Sequence, residues 1–157
     1  MKIGVLFVCL GNICRSPIAE AVFRKKVNEK GLAKEILIDS AGTGRWHIGK
    51  PPHEGTKKIL RKNNIRYDGI KARQINKDDY STFTYIISMD ERNMSDAGLN
   101  DNGKDKKYAG KLLDFHPDLK GEDVPDPYFI GNFEEVYNMV EVSCSHLLDW
   151  VRRRENL

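Results

Sequence analysis

From Ile3 to Val8 the chain is apolar at nearly every position, and the run ends at Cys9. An alternating pattern would mark a strand with one wet face. A continuous run marks a strand buried on both faces, as in a parallel sheet packed between helices. Gly11 and Asn12 then break the regularity, and a helical pattern begins at Ser16 and Pro17. A strand that passes through a short loop into a helix makes an anion cradle, because loop N–H groups point inward and the helix dipole favours negative charge. Phosphate, sulfate or a similar anion would fit it. Cys9 and Arg15 bracket the loop with five residues between them. A thiol on one rim and a fixed cation on the other suit attack on a bound phosphate.

The remaining pattern alternates strands with helices. A first helix is predicted from about Ser16 to Lys30, with Ile18, Val22, Phe23 and Val27 as its apolar stripe. Pro17 fits the first turn and Ser16 can cap it. Ile36–Ile38 reads as a second strand running to Asp39, Ser40 and Ala41. Residues 42–52 form a Gly- and Pro-broken loop, and a basic amphipathic helix follows from His53 to Asn63. Residues 70–75 are extended or irregular, and Asn76 can cap a short helix through Tyr80. Phe83–Met89 is the third strand, and Asp90 opens a helix ending near Gly98. Residues 100–110 read as a polar loop, Leu112–Phe115 as the fourth strand, and 116–131 as irregular. Apolar positions from Phe133 to Val151 repeat at helical spacing, so a long last helix starts near Asn132. The expected architecture is α/β: three layers, αβα, around a four-stranded, doubly wound parallel sheet. In such sheets ligands bind at the C-terminal strand ends. Cys9, Ser40 and Asp90 all stand there.

Composition narrows the class of protein. The 157 residues have the size of one domain, taken as 1–157. No apolar run approaches the ~20 residues of a membrane span, and no secretory leader is read at the start. Three cysteines are too few and too scattered for a disulfide framework. They read as free thiols in a reducing, cytoplasmic setting. The first 79 residues carry 17 Lys and Arg against 8 Asp and Glu, the remainder 9 against 15. The basic half could steer an anionic substrate, or be an ordinary solvated surface. It lacks the aromatic-studded patch of a nucleic-acid binder.

The loop's chemistry follows from residue types. The thiolate is the nucleophilic form of cysteine. Loop amides, the helix N-terminus, Arg15 and the Ser16 hydroxyl all favour that anion at Cys9. The planar fork of Arg15 can hold two phosphoryl oxygens, and with the loop amides it neutralises them without a metal. Asn12 can take the left-handed conformation that bends the loop. A dinucleotide loop lacks its further glycines, a triphosphate loop lacks its Lys and Ser/Thr, and zinc lacks a second ligand pair. No cofactor and no metal are expected. The reaction also needs a proton donor for the leaving oxygen. Asp126 sits between Pro125 and Pro127 beside Tyr128 and Phe129; Asp118 and Asp123 are rival acids. His47, His53, His116 and His146 show no pairing with Cys9. Trp46 is either a packing anchor or a wall of the site.

The stretch Val8-Cys-Leu-Gly-Asn-Ile-Cys-Arg-Ser-Pro17 resembles the signature of the low-molecular-weight protein tyrosine phosphatases. The resemblance extends along the chain through Asp39-Ser-Ala41 with Trp46, Lys71-Ala-Arg-Gln74, Ser88-Met-Asp90 and Asp126-Pro-Tyr128. It implies a protein tyrosine phosphatase, with acid phosphatase activity, acting on phosphotyrosine proteins or aryl phosphates. It makes Cys9 a nucleophile that becomes a phosphocysteine, Arg15 the phosphate clamp and Asp126 the general acid and base. Leu10, Gly11, Asn12, Ile13, Cys14 and Ser16 complete the binding loop, and Ser40 supports Asn12. Trp46, Tyr128 and Phe129 become the aromatic walls. Cys14 becomes a partner for a protective disulfide with Cys9, against the plainer reading of a loop filler. A monomer is expected. One departure is visible: Ile70 stands where several relatives carry a His that supports the loop Asn, so a less rigid loop is expected.

Two relatives on the same scaffold act differently. In protein arginine phosphatases the residue before the second loop Cys resembles Thr; here it is Ile13, which favours phosphotyrosine. Arsenate reductases relay a disulfide through further cysteines, and residues 84–98 contain none. A non-catalytic phosphate-binding module would lack the nucleophile or the acid, and this chain keeps both.

Overall fold

The computed structural model describes residues 2–100 and 108–157. Four parallel strands lie in the order β2-β1-β3-β4: β1 Ile3–Cys9, β2 Ile36–Gly42, β3 Tyr85–Ser88 and β4 Tyr108–Lys111. Strand β1 is central, paired along its length with β2 and through Val5–Val8 with β3. Its side chains alternate between two cores, which is why its whole sequence is apolar. Val5, Phe7 and Cys9 face the larger core, with Ile18, Val22 and Phe23 of α1 (Arg15–Glu29), Ile59 and Leu60 of α2 (Glu54–Lys62), and Val136, Val140 and Leu147 of α6 (Phe133–Glu155). Leu6 and Val8 face the smaller core with Phe83, Ile86 and Met94. That side is covered by α3 (Asp79–Thr82) and α4 (Glu91–Asp96). The remaining helical turn, α5 (Pro127–Ile130), closes at Gly131 in the left-handed conformation, with φ of 75°.

The structure moves the fourth strand. Leu112–Phe115 is a 3-10 turn, and the strand is Tyr108–Lys111, overlapping the end of the segment read as a polar loop. Leu112 and Leu113 are both fully buried, which successive residues of a strand facing one core cannot achieve. Asp114 bends the chain by accepting from Lys111 N–H and Gly121 N–H, each at 3.2 Å. The rest of that polar segment, 101–107, lies outside the described residues. Helix α3 starts at Asp79 rather than after Asn76, whose side chain instead closes a turn by accepting from Asp78 N–H. No helix among the described residues is long and apolar enough to cross a membrane.

Candidate active site

The loop after β1 is shaped by the destinations of its carbonyl groups. Cys9 O accepts from Thr43 N–H and Leu10 O from Gly44 N–H, both at 2.9 Å. Ile13 O accepts from His53 N–H at 2.9 Å and from the buried Thr56 hydroxyl at 3.0 Å. Cys14 O accepts from Ile18 N–H and, at 3.4 Å, from the same hydroxyl. In a trans peptide the next N–H points opposite the carbonyl. Carbonyls drawn outward therefore turn the following N–H groups toward the hollow above Cys9. Asn12 N–H points to Cys9 Sγ at 3.3 Å. Asn12 has the expected left-handed φ, 57°. Gly42 lets the loop sit against β2, since a Cβ there would lie 2.8 Å from Leu10 O.

Helix α1 begins at Arg15, one residue before the expected start, and Cys14 occupies the cap position without a side-chain bond. Ser16 is thus inside the helix and does not cap it. Its hydroxyl faces the loop, 3.0 Å from Cys9 Sγ. Arg15 is 2% exposed. Its NH1 donates to Asp90 Oδ2 at 2.6 Å and to Val124 O at 2.9 Å, and its NH2 lies 3.4 Å from Asp126 Oδ2. Burial opposes the guanidinium charge, yet Cys9, Asp90 and Asp126 hold its pKa above the ordinary value.

These groups border a slot of about 350 Å³, lined by Cys9, Leu10, Gly11, Ile13, Cys14, Arg15, Trp46, His47, Asp126, Tyr128 and Phe129. Asn12, Ser16 and Ser40 lie beneath the loop, buried, and do not line it. Of the three candidate acids, only Asp126 borders the slot. It caps α5 by accepting from Tyr128 N–H at 3.1 Å. Asp123 is occupied by Lys111 and Glu91 N–H, and Asp118 is exposed. Trp46 is a slot wall rather than a core anchor: it is 68% exposed, and its ring covers Gly44, where a Cβ would collide with it. Phe129 is 74% exposed.

Asn12 is fully braced without a histidine. Its amide donates to Ser16 Oγ at 2.8 Å and Ser40 Oγ at 2.9 Å, and its oxygen accepts from Arg73 N–H at 3.0 Å. Ile70 belongs to the hydrophobic core. The looser loop expected from Ile70 therefore has no counterpart in the Asn12 contacts. Burial, with Cys9 and Asp126 nearby, pushes the Cys14 thiol up to about 12. Cys144 is buried in the α1–α6 core, with Sγ 3.9 Å from Ala19 O.

Several residues were not singled out from sequence. Asp90 reads from sequence as a strand-end residue, a helix cap and part of the Ser88-Met-Asp90 stretch, and none of these signals points to its contact with Arg15. Thr56 carries no motif. His47 shows no pairing with Cys9, and it lines the slot with its ring 6.0 Å from that of Tyr128. Burial, then Lys50 and His53, lower its pKa. His53 caps α2 through Gly55 N–H and stacks on Phe133 at 5.2 Å. Among the described residues no three His, Cys, Asp or Glu side chains converge as a metal site would need.

Comparison with known proteins places this geometry. A family model described as low molecular weight phosphotyrosine protein phosphatase matches residues 4–157. The chain is 49% identical over 155 residues to the low molecular weight protein-tyrosine-phosphatase YfkJ of Bacillus subtilis, covering 99% of each chain. The crystal structure of YfkJ superposes with a TM-score of 0.92, over 98% of this chain and 97% of that one. PtpA of Staphylococcus epidermidis, another low molecular weight protein-tyrosine-phosphatase, is 47% identical over 99% of this chain and 97% of its own. A Drosophila arginine phosphatase shares the fold at a TM-score of 0.84 and 31% identity, over 97% and 98% of the two chains. With a match that spans nearly its whole length and relatives close to half identical, the chain belongs to the low molecular weight phosphotyrosine protein phosphatase family and is a hydrolase.

Proposed function

We propose that the chain, as a single domain, hydrolyses phosphotyrosine in proteins and aryl phosphate monoesters through a phosphocysteine on Cys9. The observation that carries this reading is the convergence on one slot of Cys9, Arg15 and Asp126, the last from 111 residues beyond Arg15. The phosphate sits in the loop amides with Arg15 holding its oxygens. The Cys9 thiolate attacks phosphorus as the phosphorus–aryl oxygen bond breaks. Asp126 gives its proton to the leaving phenolate. Water then attacks the phosphocysteine, Asp126 takes a proton from it, and phosphate leaves as the thiolate re-forms. The Ser16 hydroxyl, 3.0 Å from the sulfur, stabilises the thiolate at both stages. Trp46, Tyr128 and Phe129 supply apolar walls for the phenyl ring. Three free cysteines fit a cytoplasmic, reducing setting.

Turnover of phosphotyrosine peptides by native protein and Cys9→Ser tests this. Loss of turnover with retained peptide binding is expected; appreciable residual turnover would contradict covalent catalysis. The likeness to an arginine phosphatase raises phosphoarginine as a second substrate class. Ile13, buried at the slot wall, supplies an apolar surface that suits an aryl ring. A clear preference for phosphoarginine over phosphotyrosine peptides would reverse the choice.

A further inference from the structure

A buried hydrogen-bond chain leaves the loop on the side away from the slot. Ser16 Oγ, 3.0 Å from Cys9 Sγ, accepts from Asn12 Nδ2 at 2.8 Å. The same amide donates to Ser40 Oγ at 2.9 Å. Ser40 Oγ is in turn 2.6 Å from Glu20 Oε1. Glu20, on α1, is only 5% exposed, and its Oε2 lies 2.7 Å from Arg24 NH1. Arg24 is anchored at 2.9 Å on Ile38 O. The site described above uses neither Glu20 nor Arg24.

The chain has one self-consistent polarity. Arg73 N–H can only donate, so it holds Asn12 with Oδ1 toward it and Nδ2 toward the two serines. Each serine accepts one amide hydrogen and keeps one hydrogen of its own to give. Ser40 gives its hydrogen to Glu20, a pure acceptor when ionised. Ser16 is left with a hydrogen for Cys9 Sγ. Glu20 and Cys9 are thus the two sinks of a chain whose central donor is Asn12. The groups facing Glu20 are Arg24 on its own helix, and Ser40 and Asp39 on β2. Asp39 is itself held by Arg73 at 3.1 Å. Ile70, packed in the core, contributes no polar group to this bracing.

We propose that Glu20, remote from substrate, is a positioning residue for the phosphoryl-transfer step, an inference that rests on Cys9 being the nucleophile. By taking the Ser40 hydrogen, its carboxylate keeps Ser40 an acceptor for Asn12. Asn12 then keeps the Ser16 hydrogen aimed at the Cys9 sulfur. Burial raises the Glu20 pKa, and the contacts to Ser40 and Arg24 oppose that rise and hold the carboxylate in place. A glutamine cannot do the same: its single oxygen can serve Ser40 or Arg24, and its NH2 then faces the other donor.

The test is a double-mutant cycle of Glu20→Gln and Ser40→Ala. It is read by kcat and KM on p-nitrophenyl phosphate, by inhibition with inorganic phosphate, and by the pH profile of Cys9 alkylation with iodoacetamide. Glu20→Gln should lower kcat about tenfold, leave KM within about twofold, and move the alkylation profile to higher pH. In the Ser40→Ala background the same substitution should change kcat less than about twofold, because its route to Cys9 is already cut. An unchanged alkylation profile in Glu20→Gln, or an equal loss in both backgrounds, overturns the proposal. If Glu20→Gln fails to fold, Arg24→Gln at the half-exposed end of the chain replaces it. It should move kcat and the alkylation profile in the same direction by less, and no movement refutes the idea. Failure of the nucleophile reading is distinguishable, since it would show as turnover surviving in Cys9→Ser.

Discussion

Asp90 Oδ2 accepts from Arg15 NH1 at 2.6 Å, across 75 residues of chain. With Val124 O on the same nitrogen, this contact fixes one edge of the guanidinium and leaves the NH2 side toward the slot. Asp90 also caps α4 by accepting from Asn93 N–H at 2.7 Å. The two duties are separable, because asparagine caps as well as aspartate. Asp90→Asn should therefore keep the α4 cap yet lose the Arg15 contact and weaken phosphate inhibition. A hydrogen bond to a charged group is worth ~1.5–3 kcal/mol, which corresponds to about tenfold or more in affinity. KM for aryl phosphates should rise more than kcat falls. An unchanged phosphate inhibition constant would show that Arg15 holds its pose without Asp90.

Asp126 should matter in proportion to the difficulty of expelling the leaving group. Positioned proton transfer contributes ~10²–10⁴-fold. Asp126→Ala should approach that loss on phenyl phosphate and fall well short of it on p-nitrophenyl phosphate, whose phenolate leaves unaided. Equal losses on a series of substituted phenyl phosphates would remove Asp126 from the acid role.

Thr56 ties the carbonyls of Ile13 and Cys14 from α2. Thr56→Val keeps the shape and removes the hydroxyl, so Cys14 O loses one donor and Ile13 O keeps only His53 N–H. The expected cost is ~1–3 kcal/mol of folding stability, measured by urea unfolding, with weaker phosphate binding. Thr56→Ser should restore most of both.

Cys14 is a protonated thiol at neutral pH, since burial carries its pKa to about 12. Both thiols line the same slot, so Cys14 can act as the resolving thiol if it gives up its proton as it attacks. Peroxide would convert the Cys9 thiolate to a sulfenic acid, and condensation with the Cys14 thiol would form a disulfide and release water. Native protein treated with peroxide should recover on adding dithiothreitol, whereas Cys14→Ser should lose activity irreversibly. Equal recovery of the two would leave Cys14 as a filler.

At the opposite end of the sheet, burial, then the Glu155 carboxylate, pushes the Tyr85 hydroxyl up to about 12. Burial and Asp114 do the same to Tyr108. An unfolded tyrosine ionises near 10. Below that pH both states are protonated and the contribution of these hydroxyls is intact. Between about 10 and 12 only the unfolded chain releases the protons, so stability falls as pH rises. Tyr85→Phe and Tyr108→Phe should flatten that fall in urea unfolding. Burial also raises the pKa of Tyr80 and Tyr137, so in folded native protein four of the six tyrosines should ionise late by phenolate absorbance.

The strand, loop and helix from Ile3 to Glu29 were legible because every signal in them is local. The run of apolar residues, the break at Gly11 and Asn12, and the helical stripe all lie within one continuous segment. Strand β4 was not legible. Tyr108-Ala-Gly-Lys has little intrinsic strand preference, and its pairing with Tyr85–Ser88 makes it a strand. The adjacent Leu112 and Leu113 imitate a strand because α6 buries both.

The same division runs through the site. Cys9, Asn12, Arg15 and Ser16 are neighbours in sequence, so residue types and spacing alone set their chemistry. Flanking prolines and the resemblance favoured Asp126 over Asp118 and Asp123, and the tertiary placement of the Val124–Ile130 segment brings Asp126 and neither rival to the slot. Asp90 at the α4 cap and Thr56 on α2 contact the loop, and Glu20 on α1 reaches it through Ser40. Their contacts exist because the order β2-β1-β3-β4 sets separate strand ends side by side. The amino-acid sequence by itself thus determined the candidate nucleophile, the loop that carries it and the family. Only the tertiary structure decided what anchors Arg15 and which way the hydrogen bonds beneath Cys9 run. Those depend on strand register and buried donor–acceptor pairing between segments far apart in the chain.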